Sequence, residues 1–204
     1  MRRIGLGFSG VPLSVPHMVQ YARLAEKRGY ESIWIAEDYF LRDAFCPLAS
    51  IASATRRIKL GTGVINPYTR HPVLLAESIA TLDEISKGRS ILALGTGVIS
   101  LIQQMGIKAE KPLQTMRESV ELIRRLLAEE ETTYQGSVLR TDKVRFGANP
   151  YFDLVGRFKP FRKKIPVYVA AMGPKMLHIA GEIGDGVLFS AGSPVPYVKY
   201  AVEN

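Results

Sequence analysis

The sequence predicts an α/β fold built on a parallel sheet. Short apolar runs alternate with helical patterns along most of the 204 residues, and this alternation is typical of strands that run parallel. The apolar runs are continuous, as expected of strands that are covered on both faces. Glycine pairs follow several of these runs directly. Two arrangements satisfy these observations, an open doubly wound sheet and a closed barrel.

Strand and helix follow each other regularly through the first part of the chain. The predicted strands are residues 4–8, 32–36, 58–64 and 90–94, and the predicted helices are residues 15–28, 47–54, 72–85 and 113–130. Ser14 is a suitable N-cap for the first helix, with Pro16 in its first turn and Gly29 at its end. The fourth helix carries apolar residues at helical spacing, among them Met116 and Val120.

The segment 132–164 interrupts the alternation. Residues 134–139 resemble a small hairpin or excursion, and residues 149–164 are interpreted as a loop with proline, glycine and aromatic residues. Loops of this length in compact domains are usually functional or disordered. The alternation then resumes with a strand at 167–171, a helix at 174–183, a strand at 186–190 and the start of a further helix at 194.

The composition is that of an ordinary globular protein, with 47% hydrophobic and 23% charged residues and a net charge of +8. The densest basic cluster comprises Arg157, Lys159, Arg162, Lys163 and Lys164. It could bind a phosphate or a nucleic acid, but a solvated basic loop is favoured. No RNA-binding or helix-turn-helix signature is present, so we expect no nucleic-acid partner.

A single cysteine, Cys46, excludes an intrachain disulfide framework and is typical of a reducing cytoplasm. Its apolar neighbours suggest a buried structural thiol. No cluster of metal ligands is visible, so no metal site is expected. No apolar run reaches the roughly 18 residues that a membrane helix needs, so no membrane partner is expected.

Candidate functional residues lie where the strands end. Glycine in a strand allows close approach of a ligand, and the third strand ends in Gly63 and Val64 before Asn66-Pro67 turns the chain. The second strand ends in the carboxylates Glu37 and Asp38, which could bind a ligand or exchange a proton. The remaining candidates are Gly95, Thr96 and Gly97 after the fourth strand, and Met172, Gly173, Pro174 and Lys175 after the strand at 167–171.

The last of these groups is a candidate anion site. Pro174 suits the first position of a helix, so the backbone amides of Gly173, Lys175 and Met176 would lie at its positive end. Lys175 adds a formal charge. An ordinary helix start explains the pattern equally well.

Taken together, these motifs resemble the bacterial luciferase-like oxidoreductases that depend on flavin or deazaflavin, and most of all the branch that includes methylenetetrahydromethanopterin reductase. The resemblance is carried, in the family's order, by residues 34–38, 61–72, 82–89, 94–97 and 170–176. Asp38 stands where luciferase-type members often have histidine, and Val98 stands where some reductases have an acid.

The resemblance implies a TIM-type barrel that binds coenzyme F420, or alternatively FMN, at the carboxyl ends of its strands. Hydride would pass between that cofactor and a small organic substrate, with a methylene-pterin as one candidate. A non-prolyl cis peptide at Gly63-Val64 would form a bulge behind the ring, Asn66 would help to shape the ring pocket, and Gly95 to Gly97 would line its other side. The amides around Gly173 and Pro174 would hold the cofactor phosphate. Asp38, with Glu37, is the catalytic candidate.

The chain shows about six strands, whereas a complete barrel has eight. We therefore expect residues 1–204 to form a single barrel domain that lacks the C-terminal units, and we expect the open edge to be covered in a homodimer. An FMN-dependent luciferase-like monooxygenase is the alternative enzyme. A truncated, non-catalytic flavin-binding protein, or a purely structural one, is the alternative from a different class.

Overall fold

The computed structural model describes residues 4–10, 13–148 and 158–203. Most of the predicted loop at 149–164, Arg157 of the basic cluster and the last residue of the final predicted helix lie outside these ranges. The strands are β1 Gly5–Phe8, β2 Ser32–Ile35, β3 Lys59–Thr62, β4 Ser90–Leu94, β5 Thr132–Gln135, β6 Arg140–Val144, β7 Val167–Ala170 and β8 Gly186–Leu188. The helices are α1 Val15–Lys27, α2 Phe45–Ala54, α3 Pro72–Ser86, α4 Ile99–Gln104, α5 Pro112–Leu127, α6 Pro174–Ile183 and α7 Val195–Glu203.

The strand order resolves the choice between the two predicted arrangements. Six strands form one sheet in the order β1-β2-β3-β4-β7-β8, and every neighbouring pair is parallel. This order follows the chain without reversal, whereas a doubly wound sheet reverses at a switch point. The helices α1, α2, α3, α5 and α6 each pack against the next one. Sequential strands and a continuous helical layer are the arrangement of a barrel wall.

The two faces of this sheet differ in burial. Side chains that face the helices are fully buried, as Ile33 and Val167 are. Alternate residues point to the opposite, concave face, where Trp34 and Tyr168 stay half-exposed with ring centroids 5.8 Å apart. A Cβ on Gly61 would collide with the Trp34 ring, so glycine makes room for the indole there. The core therefore lies between the sheet and the helices.

The hairpin predicted near residues 134–139 is confirmed, because β5 and β6 pair in antiparallel fashion. Its turn is held by Glu118 of α5, whose side chain is 2% exposed. The Glu118 carboxylate accepts hydrogen bonds from the backbone amides of Ser137, Val138 and Leu139, at 2.8, 3.0 and 2.7 Å. One buried carboxylate therefore fixes the hairpin to the helix.

Residues 82–89, part of the motif that carries the resemblance, hold the scaffold together. The Arg89 guanidinium directs all five of its N–H groups to oxygen atoms. These include the carbonyls of Ala52 and Thr55 at the end of α2 and of Ile58 before β3. Asp83, which is fully buried, pairs with Arg162. These contacts fix α2, α3 and the segment before β7 to one another, at the opposite end of the strands from the candidate site.

Some sequence expectations are wrong. The helix α4 was not predicted. Cys46 is exposed, not buried, because Pro47 and Leu48 take the inward positions of α2. Part of the basic cluster forms ion pairs within the protein, since Arg162 pairs with Asp83 and Lys163 lies 3.1 Å from Glu129.

Over the ranges that the structure covers, no helix has the length and apolarity to cross a membrane, and no group of three metal-ligating side chains comes together.

Candidate functional site

The carboxyl end of β3 forms a bulge at the expected position. The peptide bond between Gly63 and Val64 is cis. Beyond it the chain rejoins the sheet, where the Ile65 amide donates to the Ala93 carbonyl at 3.1 Å. Gly63 and Val64 are half-exposed, whereas Thr62 and Ile65 on either side are fully buried. The bulge thus presents backbone at the edge where α/β enzymes bind ligands.

The Thr62 side chain maintains the pairing between β3 and β4 beside the bulge. Its hydroxyl accepts a hydrogen bond from the Ala93 amide at 2.8 Å and donates to the Ala93 carbonyl at 2.9 Å. It therefore satisfies the Ala93 amide, and it gives the Ala93 carbonyl a second donor beside the Ile65 amide. The residue is fully buried, so water cannot substitute for the hydroxyl.

Replacing Thr62 with valine should lower the free energy of unfolding by about 1–3 kcal/mol, because the buried Ala93 amide loses its partner and the Ala93 carbonyl loses one of its two donors. Denaturant unfolding of T62V beside T62S, which keeps the hydroxyl, measures the effect. If T62V were as stable as T62S, the hydroxyl would have no role in holding the bulge.

Of the two carboxylates after β2, Glu37 is bound within the protein. Its Oε2 accepts the Ala44 amide at 2.9 Å, at the start of α2, and its Oε1 lies 3.7 Å from the Arg70 guanidinium. Asp38 reaches the loop after β1, where it accepts hydrogen bonds from the Gly10 amide and from Ser9 Oγ. Asp38 and Glu37 both line a pocket.

Asn66 is completely buried and shapes the loop after the bulge. Its Oδ1 accepts the amides of Tyr68 and Thr69 at 2.9 and 2.8 Å. Its Nδ2 donates to Tyr39 Oη at 2.5 Å and to Thr69 Oγ1 at 2.9 Å. All four hydrogen-bonding positions of the amide are therefore used inside the protein. Asn66 shapes the site by positioning its neighbours.

The glycines after β4 allow close packing. A Cβ on Gly95 would lie 2.8 Å from Val64 Cγ2 and 3.1 Å from Ala170 Cβ, so glycine lets the bulge approach β4 and β7. Gly97 has φ +69°, a left-handed conformation that favours glycine. A side chain there would also collide with the Tyr39 hydroxyl. Thr96 between them is half-buried.

The segment after β7 leads into α6 as predicted. Gly173 is the N-cap and Pro174 the first helical residue, and Met172 and Lys175 are exposed. The Met176 amide donates to the Gly173 carbonyl at 3.0 Å, so it belongs to the first turn and is not a free donor. A Cβ at Gly173 would meet no atom within 4 Å, so the space beside the Gly173 and Lys175 amides is open to a ligand.

A pocket of about 260 Å³ opens beside Asp38. Its walls are residues 37–43 from the loop after β2, together with Thr69 and Met105.

Tyr39 and Thr69 were not identified from the sequence. The signal for Thr69 was its position three residues after Asn66, a spacing at which an asparagine side chain can cap a turn. Tyr39 follows Asp38 directly, but no local pattern shows that its hydroxyl meets Asn66.

Burial is the largest influence on the Tyr39 phenol and raises its pKa, and the charge of Glu37 acts in the same direction. Hydrogen bonds from Asn66 and from the Val98 amide act in the opposite direction without cancelling it. Tyr39 is therefore a neutral phenol at physiological pH.

Burial also lowers the pKa of His71, whose Nδ1 accepts the Val73 amide at 3.2 Å as the N-cap of α3. That neutral, capping imidazole accounts for His71 without a catalytic role.

Comparison with known proteins decides the family. The profile of the luciferase-like monooxygenase family matches residues 5–204. The chain belongs to this family. The resemblance to luciferase-like oxidoreductases and the TIM-type barrel class that the sequence predicted are therefore confirmed.

Among curated relatives, the 5,10-methylenetetrahydromethanopterin reductase of Methanolobus tindarius is 44% identical over 177 residues, which cover 87% of this chain and 51% of the relative. The F420-dependent glucose-6-phosphate dehydrogenase of Kineococcus radiotolerans is 29% identical over 202 residues, covering 93% and 57%. The chain thus spans about half the length of the curated relatives it matches.

Among solved structures, the coenzyme F420 dependent tetrahydromethanopterin reductase of Methanopyrus kandleri superimposes with a TM-score of 0.83 at 30% identity. The match covers 98% of this chain and 61% of that one. The luciferase-like barrel wall described above is therefore shared with that enzyme over almost all of the chain.

Proposed function

We propose that this chain carries the cofactor site of an oxidoreductase that passes hydride between coenzyme F420 and a small organic substrate. The observation that carries the proposal is the bulge at Gly63 and Val64. It is half-exposed at the carboxyl edge of the sheet, and Gly63 adds no side chain to it. The relatives named above, two of which are F420-dependent by name, support the cofactor.

The residues that are present fit such a cofactor. A flat ring needs a face without projecting side chains, and the nearest atom to a Cβ placed on Gly63 would be 3.5 Å away, on the Trp34 side. Gly95 to Gly97 would flank the ring, with Val64 packed against Gly95. The open amides at Gly173 and Lys175, with the Lys175 charge, would hold a phosphate at the start of α6.

When bound, coenzyme F420 or FMN supplies the hydride chemistry, and the protein supplies position and electrostatics. Tyr39 and Asn66 hold the loops after β2, β3 and β4 in one arrangement. Asp38, at the wall of the 260 Å³ pocket, is the proposed group for polar contact or proton exchange with the substrate. Glu37 assists by fixing the start of α2. Methylene-pterin is the proposed substrate class, on the name of the Methanolobus relative.

The test is an equilibrium titration of the purified chain with F420 and with FMN, followed by the visible absorbance of each cofactor. Tight binding of F420 supports the proposal. Preference for FMN would favour a luciferase-like monooxygenase. Tight binding without turnover would favour a non-catalytic flavin-binding protein, and binding of neither cofactor would refute the cofactor site.

Replacing Gly63 with alanine should weaken F420 binding by roughly tenfold or more, since the added methyl group would change the shape of the bulge on which the proposed ring lies. The fold should tolerate the change, because that methyl would lie at ordinary contact distances from Trp34, Ile35 and Leu188. G181A is the matched control: Gly181 lies in α6, and a Cβ there would contact nothing. Unchanged affinity in a folded G63A would exclude ring contact at the bulge.

We also propose that the chain folds as one domain and forms a homodimer in the cytoplasm. Within the described ranges, the outer edges of β1 and β8 have no strand partner. Apolar side chains of the flanking helices are exposed, with Leu24 of α1 at 49% and Val202 of α7 at 77%. Unpaired edges and apolar patches favour association. Sedimentation velocity should show a dimer, and a monomer at high concentration would contradict this proposal.

A further inference from the structure

Asn66 fixes the polarity of two hydroxyl groups at the pocket. The amides of Tyr68 and Thr69 can only donate, so the Asn66 atom that they contact must be the oxygen. The atom facing Tyr39 Oη and Thr69 Oγ1 must then be the nitrogen, which can only donate. Both hydroxyl oxygens are thereby compelled to act as acceptors toward Asn66.

The hydrogens of these two hydroxyls are therefore directed away from Asn66. The Tyr39 oxygen accepts a second hydrogen bond, from the Val98 amide. Only the hydrogen of the Tyr39 hydroxyl can then form a further hydrogen bond. In the part of the chain that the structure covers, neither the Tyr39 nor the Thr69 hydrogen meets an acceptor. Both residues are half-buried and line the same 260 Å³ pocket.

The carboxylates around this pocket already have partners. Glu37 accepts the Ala44 amide, Asp38 accepts the Gly10 amide, and Asp43 accepts the Cys46 amide at 2.9 Å. The wall that includes Phe40, Leu41 and Met105 is apolar, and these three side chains are exposed. The Tyr39 and Thr69 hydroxyls thus add two hydrogen-bond donors to a pocket that the charged side chains of Asp38 and Arg42 also line.

We propose that Tyr39 and Thr69 form a two-hydroxyl donor site that binds a carbonyl-type acceptor, a C=O or C=N group, of a ligand with an apolar body. The neutral state of the Tyr39 phenol is the state that donates. The proposal deepens the proposed function by naming the chemical group that the substrate pocket recognises, but it is tested without any redox cofactor.

The test is a titration of the isotopically labelled protein with two probes of nearly equal shape, followed by NMR shifts of the backbone amides of residues 37–43 and 66–69. Cyclopentanone carries the acceptor, and methylenecyclopentane replaces its oxygen with a CH2 group. The wild-type protein should bind cyclopentanone roughly fivefold to tenfold more tightly, as expected of one or two neutral hydrogen bonds. Equal affinities, shifts elsewhere on the protein, or no detectable binding of cyclopentanone would overturn the proposal.

Variants separate donation from mere structural support. The double variant Y39F/T69V should lose the preference for cyclopentanone, and T69S, which keeps its hydroxyl, should retain it. In N66D an oxygen replaces Nδ2, so both hydroxyls can donate inward; the preference should fall although both hydroxyls remain. A preference that survives in a folded Y39F/T69V would overturn the donor site. F420 titration of the same wild-type sample reports on the proposed function separately, since neither result depends on the other.

Discussion

Replacing Asp83 with asparagine should lower the free energy of unfolding by about 3–5 kcal/mol, because it removes a fully buried counter-charge from the half-buried Arg162 guanidinium. The Asp83 side chain is fully buried. Its two oxygens accept Arg162 Nε at 2.9 Å and Arg162 Nη2 at 2.6 Å, and Oδ1 also accepts the Ser90 hydroxyl. In D83N an amide N–H group would face the guanidinium or the hydroxyl donor, so at least one buried donor would lose its partner.

Thermal and denaturant unfolding of D83N measure this loss, with D142N as control. Asp142 is exposed on β6, and its side chain meets no partner within the described part of the chain, so D142N should unfold like the wild type. For a chain of this size, 1 kcal/mol corresponds to roughly 2–4 °C in Tm, so D83N should unfold on the order of 10 °C lower. A shift no larger than that of D142N would mean that the ion pair contributes nothing.

Replacing Glu118 with glutamine should lower the free energy of unfolding by about 2–3 kcal/mol, since an amide N–H group would replace one acceptor oxygen among several buried donors. Burial acts to raise the pKa of Glu118, but hydrogen bonds from the Gln114 side chain and from the Leu139, Val138 and Ser137 amides outweigh it and lower the pKa to about 2. The folded state therefore strongly prefers the ionised carboxylate.

The pH dependence follows from the direction of that shift. Because the folded pKa lies below the ordinary value of 4.5, the stabilisation by Glu118 is complete above pH 4.5 and is lost as the pH falls toward 2. Glu26 and Asp185 also have lowered pKa values, so the wild type loses stability in acid for several reasons. The informative quantity is the difference between wild type and E118Q, which should shrink as the pH falls through this window.

E84Q is the control for this experiment, since Glu84 is exposed on α3 and its change should leave both stability and pH dependence as in the wild type. A wild-type minus E118Q difference that stays constant from pH 5 to pH 2.5 would contradict the assignment of the acid-sensitive carboxylate to Glu118.

Much of the scaffold could be predicted because its signals are local. The continuous apolar runs gave all six strands of the parallel sheet. The N-cap Ser14 and the first-turn prolines Pro72 and Pro174 gave three helix starts. The helix α4 escaped because Val98 at its N-cap makes no side-chain capping bond. The predicted end of the third strand was too late, since Thr62 is the last residue of β3 and the bulge follows it.

The candidate site was predicted in part. The position of the bulge and the start of α6 came from residues that are contiguous in sequence. The contacts between Tyr39 and Asn66, or between Asp83 and Arg162, join residues that are 27 and 79 positions apart. Such pairs follow from the curvature of the sheet, which no local pattern encodes. For the same reason the sequence suggested ligand contact for Asn66, whereas all its polar atoms are bound within the chain.

The burial of the sheet on its helical side has a consequence for how stability is distributed. Each strand and its helix bury their apolar surface mainly against the units before and after them, as repeats do in a solenoid. Stability in such an architecture is approximately a sum of unit and nearest-neighbour terms. Closing the barrel would then mainly bury the concave face of the sheet, where Trp34 and Tyr168 stay half-exposed. It would add less to the stability of the packed strands and helices.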